Sequence, residues 1–202
     1  MNQASVTRVT HRELLLDAAR HCLETKGYAR TTARDLVAAS GTNLASIGYH
    51  FGSKEALPNE AIAGAFAEWT DEVNRAVRET PADAPVERLL DGWREMLGRT
   101  EANRPLIVAN LEAMAQVARS PELRARMADA YETCRAKIAE VVEESLPEDS
   151  GVDARAVAAF IVAVVDGITL QRMADPERAP TGDQLVEALG RAVVAILATL
   201  PR

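Results

Sequence analysis

Residues 10–54 encode three short helices, each with its own start and stop signal, and they limit what the chain can be. Thr10 and Glu13 form an S/T-x-x-E pair, in which each side chain satisfies the other's free backbone N–H. Leu15, Ala18, Ala19, Cys22 and Leu23 recur at helical spacing behind it, and Gly27 stands where a helix commonly ends in a left-handed residue. Thr32 opens a second helix, with Asp35 three residues on, Leu36, Val37 and Ala39 on its apolar side and Gly41 at its end. Asn43 is a good N-cap for a third helix running to about His50. Three helices in so short a span, the third directly behind a Gly-containing turn, make a helix-turn-helix arrangement.

The remainder also reads as helix. Ser53 caps a fourth helix that extends to about Glu79; Pro58, one turn inside, should distort or delay its start. Pro81 and Pro85 mark a loop, and further helices are expected over 86–100, 105–119, 121–146, 153–174 and 184–200. Pro105 and Pro121 suit first-turn positions, where no N–H is needed. Strand alternation is absent. The expectation is an all-α protein of about nine helices, with a DNA-binding head over 1–54 and a larger helical regulatory body over 55–202.

Charge sharpens the division. The net charge is −7, yet of 23 basic and 30 acidic residues seven and four fall within the first 54, so a basic head sits on an acidic body. That suits a DNA reader whose body should stay off the phosphates. With 48% apolar and 26% charged residues the chain can bury a core and is not a disordered one. The longest apolar run, Ala156–Val165, stops at Asp166, short of the roughly 18 residues a membrane span needs. No apolar signal segment follows the N-terminus. A cytoplasmic protein without membrane association is expected, with Cys22 and Cys134 as reduced core thiols. Catalytic chemistry finds no footing: all three histidines lie in the head, and H-E-x-x-H, C-x-x-C, a Gly-rich phosphate loop and G-x-S-x-G are absent. No enzyme, cofactor or metal site is expected.

A helix entering the major groove needs small residues for close approach, polar groups for base edges and phosphate donors near its ends. The third helix offers small Ala45, Ser46 and Gly48, core anchors Ile47 and Phe51, and Tyr49, His50 and Lys54 as phosphate donors. T-T-A-R-D-L followed by S-G-T-N-L-A-S-I-G-Y-H-F-G-S-K-E-A-L resembles the DNA-binding head of the TetR/AcrR regulators, specifically from about Leu14 to Leu57. Beyond about Ala61 only the general plan is similar: chain length, helical content and two apolar C-terminal helices. Thr42 and Gly48 depart from the common pattern, Gly48 at a helix cost of roughly 1 kcal/mol against Ala. The resemblance implies phosphate contacts from Thr32, Arg34, Tyr49, His50 and Lys54, and base-edge contacts from Leu44, Ala45, Ser46 and Tyr49. It also implies a repressor released from its double-stranded operator by a small-molecule effector. An activator, or a DNA-binding regulator without an effector, is the alternative.

The last two helices are too apolar for one small core. Ala159, Ala163, Gly167, Ala188, Ala192 and Ala195 would let a partner helix approach closely, giving a four-helix homodimer contact. For the effector, an apolar cavity with a few orienting polar groups is expected among Trp69, Trp93, Met96, Asn110, Met114, Tyr131 and Asp166. Asn110 carries an amide on a face shared with Leu106, Ile107 and Met114, and Asp166 breaks the longest apolar run.

Overall fold

The computed structural model describes residues 10–79, 91–92, 94, 98–99, 102–147 and 150–199, the side chains of 76, 189 and 192–199 excepted. Eight helices are described: α1 (His11–Lys26), α2 (Ala33–Ser40), α3 (Leu44–Phe51), α4 (Ala56–Glu79), α5 (Arg104–Met114), α6 (Pro121–Ser145), α7 (Ala154–Ala174) and α8 (Gly182–Thr199). No strand occurs among the described residues. Of the helix expected over 86–100, Asp91, Gly92, Arg94 and Gly98 are helical, and its other residues except Arg99, a turn, lie outside the described set, as does the loop at Pro81 and Pro85.

Side-chain caps place the helix starts. The Glu13 N–H donates to Thr10 Oγ1 at 3.2 Å and the Thr10 N–H to Glu13 Oε2 at 2.7 Å, a reciprocal box that satisfies two donors helix geometry leaves over. Thr32 and Asp35 repeat the device at α2, and the Ser46 N–H donates to Asn43 Oδ1 at 2.9 Å to start α3. Gly41 takes the left-handed conformation, whereas Gly27, at φ +82° and ψ 169°, is in the mirror-extended region instead. At α4 the Ala56 N–H donates to Ser53 Oγ at 3.0 Å, so the helix starts late enough that Pro58 falls in its first turn. One expectation needs correction. Helix α5 ends at Met114, not Arg119, because the chain tightens into i→i−3 bonds such as Val117 N–H to Met114 O. The apolar run stops at Asp166 but the helix does not: α7 continues to Ala174, as the helix expected over 153–174 requires, and its length and a mean hydropathy of 1.6 across its most apolar stretch would allow a membrane crossing that the uninterrupted run alone is too short for.

The chain divides into two compact units, one holding residues up to Glu68 with Asn103–Tyr131, the other holding 69–102 with the residues from Glu132 onward. The first has a core of Leu15, Ala19, Cys22 and Leu23 from α1, Leu36 from α2, Ile47 from α3, Leu57, Ala61 and Ile62 from α4, Ala109 and Ala113 from α5, and Leu123 and Met127 from α6. Arg12 pairs with Glu60 and Arg20 with Glu68, equal steps along α1 and α4, so the two helices run in the same sense at their contact. The second unit gathers Val73, Val77, Ala139, Val141, Val142, Ala154, Ala158, Ile161 and Val165.

Candidate functional site

Helix α3 has a single fully buried residue, Ile47, and turns most of its other side chains outward. Tyr49 is 86% and Leu44 59% exposed; Ala45 and Gly48 are exposed between them, and nothing stands within 4 Å of where a Gly48 Cβ would point. Eight residues are too few to hold a helix in isolation, so Ile47 and half-buried Phe51 secure this one to the core. The Arg12 guanidinium lies 5.4 Å over the Phe51 ring, and the His50 ring meets Tyr49 edge-on at 4.8 Å, steadying the C-terminal turn. Lys54 is exposed just beyond, with Glu55 at 3.6 Å, a contact too weakly held to keep it from a phosphate.

At the start of α2, Arg34 is exposed, but the Thr32 hydroxyl and N–H both donate to Asp35 Oδ2, at 2.6 and 2.9 Å. Lys26 donates to the same carboxylate, and these bonds hold the Asp35 pKa at about 2. Thr32 is thus engaged in its own cap, and a phosphate contact from its hydroxyl would displace that bond. Half-buried Ser46 donates its hydroxyl to Asn43 Oδ1 at 3.3 Å. Among the head's described Arg and Lys residues, Arg12, Arg20 and Lys26 are ion-paired internally, which leaves Arg30, Arg34 and, beside its neighbour Glu55, Lys54 as exposed cations.

In the second unit a narrow apolar cavity of about 40 Å³ is lined by Trp69, Thr70, Val73, Asn74, Val77, Gly92, Cys134, Ile138, Val141 and Ile161. Gly92 allows a close wall, since a Cβ there would collide with a Val77 methyl. Thr70 donates to Cys134 Sγ at 3.5 Å, and burial, with a smaller contribution from the nearby Asp166 charge, pushes the Cys134 thiol up and keeps it neutral. Of the expected effector residues, Trp69 lines this cavity and Asp166 belongs to the same unit. Asn110, Met114 and Tyr131 belong to the first unit, where Met114 and Tyr131 pack on the core and Asn110 Oδ1 is buried without accepting a hydrogen bond. Trp93 and Met96 lie outside the described residues. Cys134 is the buried free thiol expected, but neither it nor Thr70 and Asn74 was expected in a cavity lining; the signal available was Thr70 and Asn74 one turn apart behind Trp69.

Helix α7 buries Ala154, Ala158, Ile161, Val162, Val165 and Ile168 and presents Ala159, Phe160, Ala163 and Leu170 to the outside, with Gly167 half-buried between. Only 28% of its most apolar stretch is buried. Ala188 of α8 is likewise exposed; the side chains of Ala192 and Ala195 lie outside the described set.

Comparison with known proteins bears on both parts of the chain. Residues 15–61 match the profile of bacterial regulatory proteins of the tetR family, and residues 85–198, more than half the chain, match the C-terminal profile of BetI-type transcriptional repressors. No match is found among curated proteins. Solved structures share the fold at low identity. A protein of Pseudomonas aeruginosa PAO1 assigned as a transcriptional regulator aligns with TM-score 0.69 and 22% identity over 98% of this chain and 97% of its own. A Saccharomonospora viridis protein, so assigned and solved with choline, gives 0.65 and 23% over 89% and 93%. Reduced NemR of E. coli gives 0.66 and 17% over 91% and 96%. With an exposed α3 behind a capped turn, a tetR-type head and a BetI-type C-terminal region, this chain belongs to the TetR family of DNA-binding transcriptional regulators.

Proposed function

We propose that the protein is a cytoplasmic repressor that binds a pseudo-palindromic operator as a homodimer and is released by a small, uncharged, mostly apolar effector. The observation that carries the DNA half is the exposure pattern of α3: one buried anchor, Ile47, and an outward face of Leu44, Ala45, Gly48 and Tyr49, with Arg34 of α2 and Lys54 also exposed. Residues 1–54 act as the reading head and 55–202 as the regulatory body. Leu44, Ala45, Ser46 and Tyr49 meet base edges; Arg34, Tyr49, His50 and Lys54, with Thr32 at the α2 start, meet phosphates. The exposed apolar face of α7, continued by Ala188 and extended to Ala192 and Ala195, is covered by a second copy, which also accounts for an apolar helix in a protein that stays off membranes.

The effector reading rests on the cavity beside Trp69 in the second unit. No charged side chain is among the cavity's described lining residues, so a neutral compound suits it better than a cation such as the choline of the Saccharomonospora relative. A cavity near 150 Å³ holds benzene, and pockets for drug-sized ligands span ~300–1,000 Å³, so at about 40 Å³ this one is too small for such a ligand as it stands. An effector must therefore prefer a body shape with more room, and that differential affinity is what a switch requires. The same small volume favours a second reading, a regulator with no small-molecule effector. The deciding experiment selects an operator from random DNA and titrates neutral apolar compounds, with choline as control, against tryptophan fluorescence and operator release. If no compound releases DNA from the wild type, the effector reading fails and the second one stands.

A further inference from the structure

The α1–α2 turn, which delivers the chain into the reading helices, is gripped by a residue far from it in sequence. Glu112 of α5 accepts the Ala29 N–H on Oε2 at 3.0 Å. Its carboxylate lies so close over the turn that a Cβ on Gly27 would stand 2.8 Å from Oε2 and 3.1 Å from Oε1. Gly27 is thus demanded twice, by φ +82° and by this approach. The turn's other polar groups bond nearer home: Thr31 Oγ1 to Gly27 O at 2.7 Å, Arg30 Nε to Lys26 O at 2.7 Å and Thr31 N–H to Tyr28 O at 3.4 Å. A second bolt fixes the same turn to α4, where the Tyr28 hydroxyl donates to Asn59 Oδ1 and Asn59 is fully buried. Helix α5 is held against this core by Ala109 and Ala113, both fully buried and next to Glu112 on the helix.

We propose that Glu112 is a positioning residue for DNA binding: through the Ala29 N–H it fixes the turn that aims α2, and with it α3, at the duplex. The placement is electrostatically adverse. A carboxylate beside the C-terminal end of α1 faces the negative pole of that helix, and an anion on the DNA-binding unit repels phosphate. A purely electrostatic role would therefore make its removal tighten DNA binding, and the positioning role makes removal loosen it. The two part in sign. Helices α2 and α3 have eight residues and one fully buried side chain each, so their direction depends on the turn that carries them.

The test uses the full chain and an operator selected with the wild type. Glu112→Ala should lower operator affinity by roughly tenfold, the worth of one charge-assisted bond. The slope of affinity against salt should not change, because no phosphate contact is lost. Amide exchange in the peptide spanning Lys26–Thr32 should accelerate. Glu112→Gln, which keeps an acceptor oxygen, should restore both affinity and protection. If the alanine variant does not fold, Glu112→Met fills the same space without an acceptor and takes its place. Unchanged or tighter operator binding, unchanged exchange, or failure of glutamine to rescue each overturns the proposal. The inference rests on the DNA-binding reading: a wild type that selects no DNA refutes that reading, whereas a binding wild type with an indifferent Glu112→Ala refutes only this one.

Discussion

Replacing Ile47 by alanine should disconnect the recognition helix while leaving the protein folded. Ile47 is 2% exposed and is the only fully buried side chain of α3, and eight residues cannot sustain a helix by propensity alone. Truncating a buried isoleucine to alanine costs about 2–5 kcal/mol through lost transfer energy and the cavity left behind. Domains have roughly 5–15 kcal/mol of stability to lose, so most molecules stay folded. Nearly all of the cost falls on docking α3, and at about 1.4 kcal/mol per decade the docking equilibrium constant drops by about one and a half to three and a half decades. Operator affinity, measured by fluorescence anisotropy, should fall with the docked fraction, by up to that factor, while circular dichroism loses no more than the signal of one short helix. Ile47→Val, which leaves a smaller cavity, should cost about 0.5–1.5 kcal/mol and correspondingly less affinity. An alanine variant that binds within twofold of the wild type would mean that α3 is held by something other than Ile47, and the exposure argument for the reading face would collapse with it.

Tyr49→Ala and Lys54→Ala should each weaken operator binding, and loss of one phosphate contact should lower the salt slope by about 1; affinities unaffected by either change would show the contacts to be misassigned. Asp35 has its pKa lowered from 3.8 to about 2, first by Lys26 and then by Thr32. Its contribution is therefore complete above about pH 4 and is lost as the pH falls toward 2, so Asp35→Asn should lose most of its difference from the wild type in that window of an acid titration. An unaltered difference across it would deny the carboxylate its part in the α2 cap. Ala163→Glu would bury an unpartnered charge in the proposed dimer contact, and sedimentation should report monomers with operator binding abolished; a stable dimer would place the interface elsewhere.

Local chemistry was legible in the sequence because its partners are three residues apart. The boxes at Thr10–Glu13 and Thr32–Asp35, the Asn43 cap and the Ser53 start all lie within one helical turn. The stop at Met114 was not legible. No glycine or proline interrupts 115–120, and only the need to reach the Ser120 cap of α6 turns the chain there. Trp69 and Asn110 could be singled out as residue types at odds with their surroundings. Thr70 and Asn74 could not, because a threonine or asparagine on a long helix reads equally well as a solvated face; Cys134 was legible as a core thiol but not as cavity lining. Glu112 was invisible for another reason: its partner is a backbone N–H 83 positions away.

The first unit's core has a consequence for exchanging specificity among relatives. Its reading helices do not close on themselves. Leu15, Leu23, Leu36 and Ile47 are packed by Leu57, Ala61, Ile62, Ala109, Ala113, Leu123 and Met127, all of them from stretches that a graft of residues 10–54 would leave behind. A head transplanted as residues 10–54 would meet host side chains at every one of those contacts, and Gly27 would meet whatever the host carries in place of Glu112. A chimera that moves DNA preference cleanly should carry residues up to 68 together with 103–131, two segments excised as one mosaic insert.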